Sequence, residues 1–273
     1  MLVYVATWPR CGNSLTRSLL FTNFRLLIAN GYEADAKRPE KLRPEYFGDF
    51  IRYQQDGCPP YIGLQNNALA RLNDNPQLRR DCAALSEIFF VKTHELPPED
   101  PIEGEAYVCM TRHPVRAAAS YRKLWPEKEL RFVLDGAYVG GRYDDWHDGW
   151  EASGMPNVTV RYEDVINDPG LLIHPVSELI DRPAPEVVRE MPMAVSKDMN
   201  PSRNPGLLLD GWRDVLSREE AEWVWSEMGE TASRYGYTDL LEDQPMAEPT
   251  AGSESGRGAT ASETTRKPRW KFW

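Results

Sequence analysis

The sequence contains four cysteines, Cys11, Cys58, Cys82 and Cys109, but no CxxC pair. Their spacing fits neither a zinc site nor a disulfide framework. A reducing, cytoplasmic compartment is therefore expected. No apolar run approaches the ~18 residues that suggest a membrane span. The first residues run straight into an apolar, strand-like stretch without a charged leader, so no signal peptide is expected. Positive charge is in the minority. There are 32 Lys and Arg against 42 Asp and Glu, a net charge of −10. Nonspecific nucleic-acid binding relies on the opposite balance, so no nucleic-acid partner is expected, and an anionic ligand would need a local cationic site. The sequence also lacks GxxxxGK[ST] and GxGxxG, the glycine signatures of two common nucleotide loops. No metal cluster and no internal repeat are visible.

What is present is ordinary for a globular protein. The 273 residues are 41% hydrophobic and 27% charged, enough to bury a large core. Four short runs read as buried strands: Leu2 to Thr7, Ile88 to Lys92, Ala106 to Thr111 and Asn157 to Tyr162. Their nearly continuous apolar character suits a parallel sheet covered on both faces. Leu15, Leu19, Phe24, Leu27 and Ile28 mark a first helix, with Asn30-Gly31 as its stop. Pro114 to Trp125 reads as another helix, with proline in its first turn. Strands alternating with helices imply an α/β fold. Residues 36–86 and 126–145 are less regular, as insertions over a substrate site often are. From about Pro245 the composition turns to Gly, Ser, Thr, Ala and Pro. The expected organisation is a domain over residues 1–243 and a disordered tail over 244–273. The tail ends in "RKPRWKFW", either an end without a specific role or a docking peptide or membrane-surface anchor.

The stretch "WPRCGNSL", residues 8–15, falls on the bend between the first strand and the first helix. Such a bend is a natural anion site, because the first helical N–H groups lack intrahelical partners and the helix dipole is positive there. Gly12 lets the backbone approach closely, Asn13 and Ser14 can donate hydrogen bonds, and Arg10 brings a cationic fork suited to phosphate. On these residues alone the alternative stands equal: Asn13 or Ser14 caps a helix, Gly12 serves the turn and Arg10 lies on the surface.

The same stretch resembles the 5′-phosphosulfate loop of the cytosolic-type sulfotransferases. Four further stretches resemble that family in order. They are "VKTHELP" (91–97), "YVCMTRHPVRAAASYRKL" (107–124), "VTVRYEDVINDP" (158–169) and "SRNPGLLLDGWRDVLSREEAEWV" (202–224). The resemblance spans residues 2 to about 238. It implies a three-layer α/β/α fold with a central parallel sheet, like that of the P-loop NTPases. It also implies a donor, 3′-phosphoadenosine 5′-phosphosulfate (PAPS), and no metal. The acceptor would be a hydroxyl or amine on a small molecule, carbohydrate or lipid.

Roles follow residue by residue from the resemblance. Arg10, Cys11, Gly12, Asn13 and Ser14 would face the 5′-phosphosulfate side of the donor, and Leu15 would stand at its adenine. Arg112 and Ser120, eight residues apart, would reach its 3′-phosphate. Tyr162, Arg203, Asn204 and Gly206 would complete the donor site. His94 would be the general base, with Arg10 and Lys92 assisting at the transferring group. The chain departs from the family pattern at several points. Arg10 replaces a lysine, Cys11 a serine and Leu15 a tryptophan, and Ser196 stands where a second adenine-facing aromatic aligns. Asn204-Pro205 stands where a lysine is usual, and one extra residue lies between Gly206 and Trp212. Two other readings remain, a nucleotide-dependent kinase and a noncatalytic nucleotide-binding protein of the same fold. Of the other histidines, His113 reads as a turn residue, His147 lies in a Trp-rich helix and His174 precedes Pro175. Glu163 and Asp164 read as a structural turn.

Overall fold

Strand formers open the chain, and Leu2–Ala6 is strand β1 with all five side chains buried. The structure, a computed structural model, describes residues 1–24, 26, 28–29, 76–136, 140–190 and 211–241. In chain order after β1 come helix α1 (Asn13–Phe24), β2 (Ile28–Ala29), α2 (Pro76–Ala84), β3 (Phe89–Thr93), β4 (Glu105–Thr111), α3 (Pro114–Leu124) and α4 (Leu130–Leu134). They are followed by α5 (Tyr143–Ala152), β5 (Asn157–Arg161), α6 (Tyr162–Asn167), α7 (Gly170–Leu179) and α8 (Arg218–Arg234). Met1–Asp239 is one compact unit. The proposed tail, residues 244–273, lies outside the described residues.

The sheet has five strands in the order β2-β3-β1-β4-β5, and every neighbouring pair is parallel. Alternation along the strands sends residues to two faces. Val3, Val5, Ala106, Val108 and Met110 join Leu19 and Leu20 of α1 and Leu172, Ile173 and Val176 of α7 in one core cluster. Each fully buried side chain of this kind is worth roughly 1.5–3 kcal/mol of transfer free energy. Tyr4 and Tyr107 meet Trp150 of α5 instead, with ring centroids 5.7 and 5.0 Å apart. Helices thus cover both faces, which is why the central strands β1 and β4 are buried throughout, while edge strand β5 alternates, with Asn157 and Thr159 exposed about a buried Val158.

The α/β expectation holds, with three corrections of detail. Ile28 does not extend the first helix. That helix ends at Phe24, and Ile28 and Ala29 pair with Phe90 and Val91 as a fifth strand. The run Leu26 to Ala29 is apolar throughout, so its periodicity could not separate strand from helix. Glu163 and Asp164 lie in helix α6 rather than a turn. The region 36–86 contains α2, while residues 36–75 lie outside the described residues.

At the amino ends of the strands a polar knot ties α2 to the sheet. Arg79 donates to both Glu105 carboxylate oxygens at 2.6 Å, and the Tyr4 hydroxyl donates to Glu105 at 2.5 Å. Satisfying the buried Glu105 carboxylate from several sides is what makes its burial tolerable. Among the described residues no helix is long and apolar enough to cross a membrane.

Candidate functional site

In open parallel sheets, ligands bind beyond the carboxyl ends of the strands, where the strand order reverses. Here β3 lies on one side of β1 and β4 on the other, so the reversal point is at the end of β1. The chain places Thr7 to Gly12 there, His94 just after β3, and Arg112 just after β4.

The β1–α1 loop is held close to the sheet. Gly12 has φ +106°, and an added Cβ would lie 2.4 Å from the Met110 sulfur and 2.6 Å from the Tyr162 ring. Only glycine allows that approach. Arg10 is also left-handed, at φ 71°, a conformation that costs free energy in a non-glycine residue and persists only where the surroundings enforce it. Two contacts do so. The Arg112 guanidinium donates to the Arg10 carbonyl at 3.0 Å. The Arg10 guanidinium donates to the Ser120 hydroxyl through Nε at 3.2 Å and Nη2 at 3.1 Å. The β1–α1 loop and the start of α3 thus converge on Arg10. Arg112 lies over the Tyr162 ring, 4.4 Å from its centroid, and Tyr162 is itself buried against Gly12.

One donor in this loop stands without an acceptor. The Asn13 side-chain nitrogen is covered from solvent and has no hydrogen-bond partner among the described residues. A covered amide N–H is costly unless paired. An anionic oxygen at the start of α1 would pair it, and the first-turn N–H groups of the helix point the same way. The loop residues therefore fit a phosphate- or sulfate-like group. Cys11 is fully buried, and burial pushes its thiol up to about 12 despite nearby Arg112, so it is a neutral packing residue at neutral pH. Leu15 packs against the core cluster.

His94 is partly covered. Its Nδ1 lies 2.7 Å from the Thr7 carbonyl oxygen. A carbonyl only accepts, so the proton sits on Nδ1 and the lone pair on Nε2. Burial and the neighbouring Lys92 ammonium lower its pKa to about 3, with Arg10 and Arg17 adding to the effect. The ring is therefore neutral at physiological pH, with its lone pair on Nε2, amid the positive charges of Lys92, Arg10 and Arg17. Lys92 is buried near the end of β3.

The structure thus brings Arg10, Cys11, Gly12, Asn13, Ser14, Arg112, Ser120, Tyr162, Lys92 and His94 to the carboxyl edge of the sheet or the elements flanking it. Arg203, Asn204, Gly206 and Ser196 lie outside the described residues. The other histidines are placed elsewhere. His113 caps α3 by accepting the Val115 N–H at 3.2 Å, His147 is buried in α5, and His174 is exposed.

Sequence reasoning missed Glu163. Its carboxylate is buried and accepts the His113 backbone N–H at 3.3 Å and the Tyr237 hydroxyl at 2.9 Å. It also pairs with Arg116 at 3.4 Å. Tyr237 in turn reaches the Thr111 hydroxyl at 3.2 Å. Glu163 therefore fixes the residues on both sides of Arg112. Nothing in the local pattern around "YED" distinguishes this from an ordinary helix start; the partners come from 47 to 74 residues away. Among the described residues no group of three His, Cys, Asp or Glu side chains could hold a metal ion.

No protein-family model matches the chain, and no curated protein matches it in sequence. Solved structures do. Retinol dehydratase in complex with androsterone and inactive cofactor PAP is 17% identical over 88% of this chain and 83% of that one, with a TM-score of 0.50. A mouse sulfotransferase complexed with PAP is 12% identical over 86% of this chain and 88% of that one, with a TM-score of 0.48. The sulfotransferase domain from the curacin biosynthetic pathway is 14% identical over 86% and 97%, with a TM-score of 0.47. At these identities the likeness is one of fold, and the chain shares the α/β fold of the retinol dehydratase structure.

Proposed function

We propose that the chain is a sulfotransferase that moves the sulfuryl group of PAPS to a hydroxyl or amine of a small-molecule acceptor. The observation that carries this reading is the convergence of Arg112, after β4, and Ser120, in α3, on Arg10 of the β1–α1 loop, beside a covered Asn13 amide without an acceptor among the described residues. When bound, the donor supplies the group to be transferred. Asn13, Ser14 and the start of α1 would hold its 5′ side, and Arg112 and Ser120 its 3′-phosphate; the resemblance would add Arg203, Asn204 and Gly206, which lie outside the described residues. Arg10 serves the oxygen on which charge builds as the bond to sulfur breaks.

His94 acts on the acceptor. With Nδ1–H anchored on the Thr7 carbonyl, Nε2 accepts the acceptor's proton as its oxygen or nitrogen attacks sulfur on the side opposite the leaving phosphate. An isolated imidazole this deprived of protons is a weak base. A polyanionic donor beside Lys92 and Arg10 offsets the charges that depress it and raises its basicity as the complex forms. A small apolar or amphipathic acceptor fits the class, retinol dehydratase being in complex with androsterone.

The test is nucleotide selection. The protein should bind 3′,5′-diphosphoadenosine (PAP) more tightly than AMP by roughly 10- to 100-fold, the worth of one charge-assisted hydrogen-bonded phosphate. Arg112→Ala should remove most of that difference. Equal affinity of the unaltered protein for PAP and AMP by calorimetry would overturn the assignment.

A further inference from the structure

His94 follows a strand end, and a strand end alone does not fix a side chain to the tolerance that proton transfer needs. Its ring is anchored by Thr7. Its backbone is held by helix α5. The indole Nε1 of Trp146 donates to the His94 carbonyl at 3.0 Å and to the Glu95 carbonyl at 3.1 Å. The indole Nε1 of Trp150, one turn further along α5, donates to the same Glu95 carbonyl at 3.0 Å. Both tryptophans are buried, at 0% and 1% exposure. The approach to α5 closes on the same point. A Cβ on Gly140 would lie 2.0 Å from the His94 carbonyl oxygen, so only glycine fits there, at φ +68°.

The same region reaches the phosphate loop. Trp8, the first residue of "WPRCGNSL", donates its indole N–H to the Gly141 carbonyl at 3.4 Å and meets Tyr143 edge-on at 5.4 Å. Residues 140–150 therefore touch both sides of the reaction centre.

We propose that Trp146 is a positioning residue for His94, with Trp150 in support: its two indole hydrogen bonds set the backbone from which the imidazole reaches Thr7. A tryptophan is suited to this. It is a large rigid body fixed by packing, and it carries a single donor with no acceptor. Buried carbonyls need a partner, so this arrangement satisfies them and fixes the loop at once. The inference rests on the reading of His94 as the general base, and it adds the device that orients it.

The experiment uses the full chain with nitrogen-15-labelled histidine, with the His94 signals identified by their loss in His94→Gln. In the unaltered protein His94 should show one neutral tautomer with hydrogen on Nδ1. Trp146→Phe keeps the ring and removes the donor. Its His94 signals should move towards the average of the two tautomers. Trp150→Phe, which leaves the His94 carbonyl its donor, should move them less. PAP affinity, measured by calorimetry in parallel, should be unchanged in both variants. His94 signals that stay in place in folded Trp146→Phe would overturn the positioning role. Failure of the unaltered protein to bind PAP would overturn the sulfotransferase reading, whatever the histidine signals do. If Trp146→Phe does not fold, Gly140→Ala takes its place, because its methyl must displace the same carbonyl. Unmoved His94 signals in that variant likewise refute the clamp.

Discussion

His147 is a buried histidine of helix α5. It is 1% exposed, and neither ring nitrogen has a hydrogen-bond partner among the described residues. Aromatic rings surround it: Tyr143 at 4.4 Å, Trp146 at 4.9 Å and Tyr235 at 4.9 Å between centroids. Burial, and then the nearby Arg234 charge, lower its pKa to about 3. The folded protein thus keeps His147 neutral down to strongly acid pH, while the unfolded chain protonates it at the ordinary value of about 6.5. Between those two values the unfolded state binds one more proton, so stability falls as pH falls. Integrating from pH 7 to pH 5 gives a loss of about 2 kcal/mol from this one residue, or about 4–8 °C in Tm for a domain of this size.

The perturbation is His147→Phe. A phenyl ring suits an aromatic cage, and no hydrogen bond is lost. Two covered, unpaired ring nitrogens disappear, so the variant should be at least as stable as the unaltered protein at pH 7. Urea unfolding at pH 7 and pH 5 is the assay. Carboxylates titrate in both proteins and cancel in the comparison. The variant should lose about 2 kcal/mol less than the parent between the two pH values. Equal losses would show that His147 has a proton-binding partner or an ordinary pKa, and the reasoning would fail. A variant clearly less stable at pH 7 would show a hydrogen bond to the imidazole. Because α5 also carries Trp146 and Trp150, the same measurement reports how firmly the support of His94 is held in acid.

Three further outcomes are expected. His94→Ala should lower sulfuryl transfer by about 10²- to 10⁴-fold and leave PAP affinity unchanged, read by steady-state turnover and calorimetry. Activity in the unaltered protein should fall as pH drops through the pKa of His94 in the donor complex. That pKa lies above the value of about 3 reached without the donor, because the donor's charge offsets Lys92 and Arg10. A turnover that persists in the variant places the base elsewhere. Glu163→Gln should weaken PAP binding by up to about tenfold, the effect of roughly one hydrogen bond lost beside the Arg112 turn. Unaltered PAP affinity in that variant would show that the turn stands without the carboxylate.

The strands were legible because each is short, apolar and flanked by breakers, and because a sheet covered on both faces demands that pattern. Edge strand β2 was not legible. Two paired residues leave no period to read, and Leu26 to Ala29 suits a helix as well as a strand. The polar loop residues were legible for a different reason. Arg10, Gly12, Asn13 and Ser14 sit on a strand-to-helix bend, where elementary electrostatics already calls for an anion. The left-handed backbone of Arg10 was not, because it belongs to a turn that the Cys11 N–H closes on the Trp8 carbonyl at 3.1 Å, and its other partners, Arg112 and Ser120, lie about a hundred residues away.

The support of the site was hidden in residues that read as core. Trp146 and Trp150 are four apart on one helical face, the spacing of any buried stripe. Both rings do fill the core, Trp150 against Tyr4 and Tyr107 and Trp146 against Trp150, so the packing reading is correct as far as it goes. What it omits is that each indole has one polar edge and that both edges turn to the loop after His94. Glu163 has the same double character. Its carboxylate looks like one of many acids at a helix start, yet it collects Tyr237, Arg116 and the His113 backbone. In both places the informative quantity is the partner of a single polar atom, which is set by tertiary contact over long sequence separation. A sequence pattern fixes which face a residue occupies, and only the fold fixes which carbonyl or amide its polar atom meets.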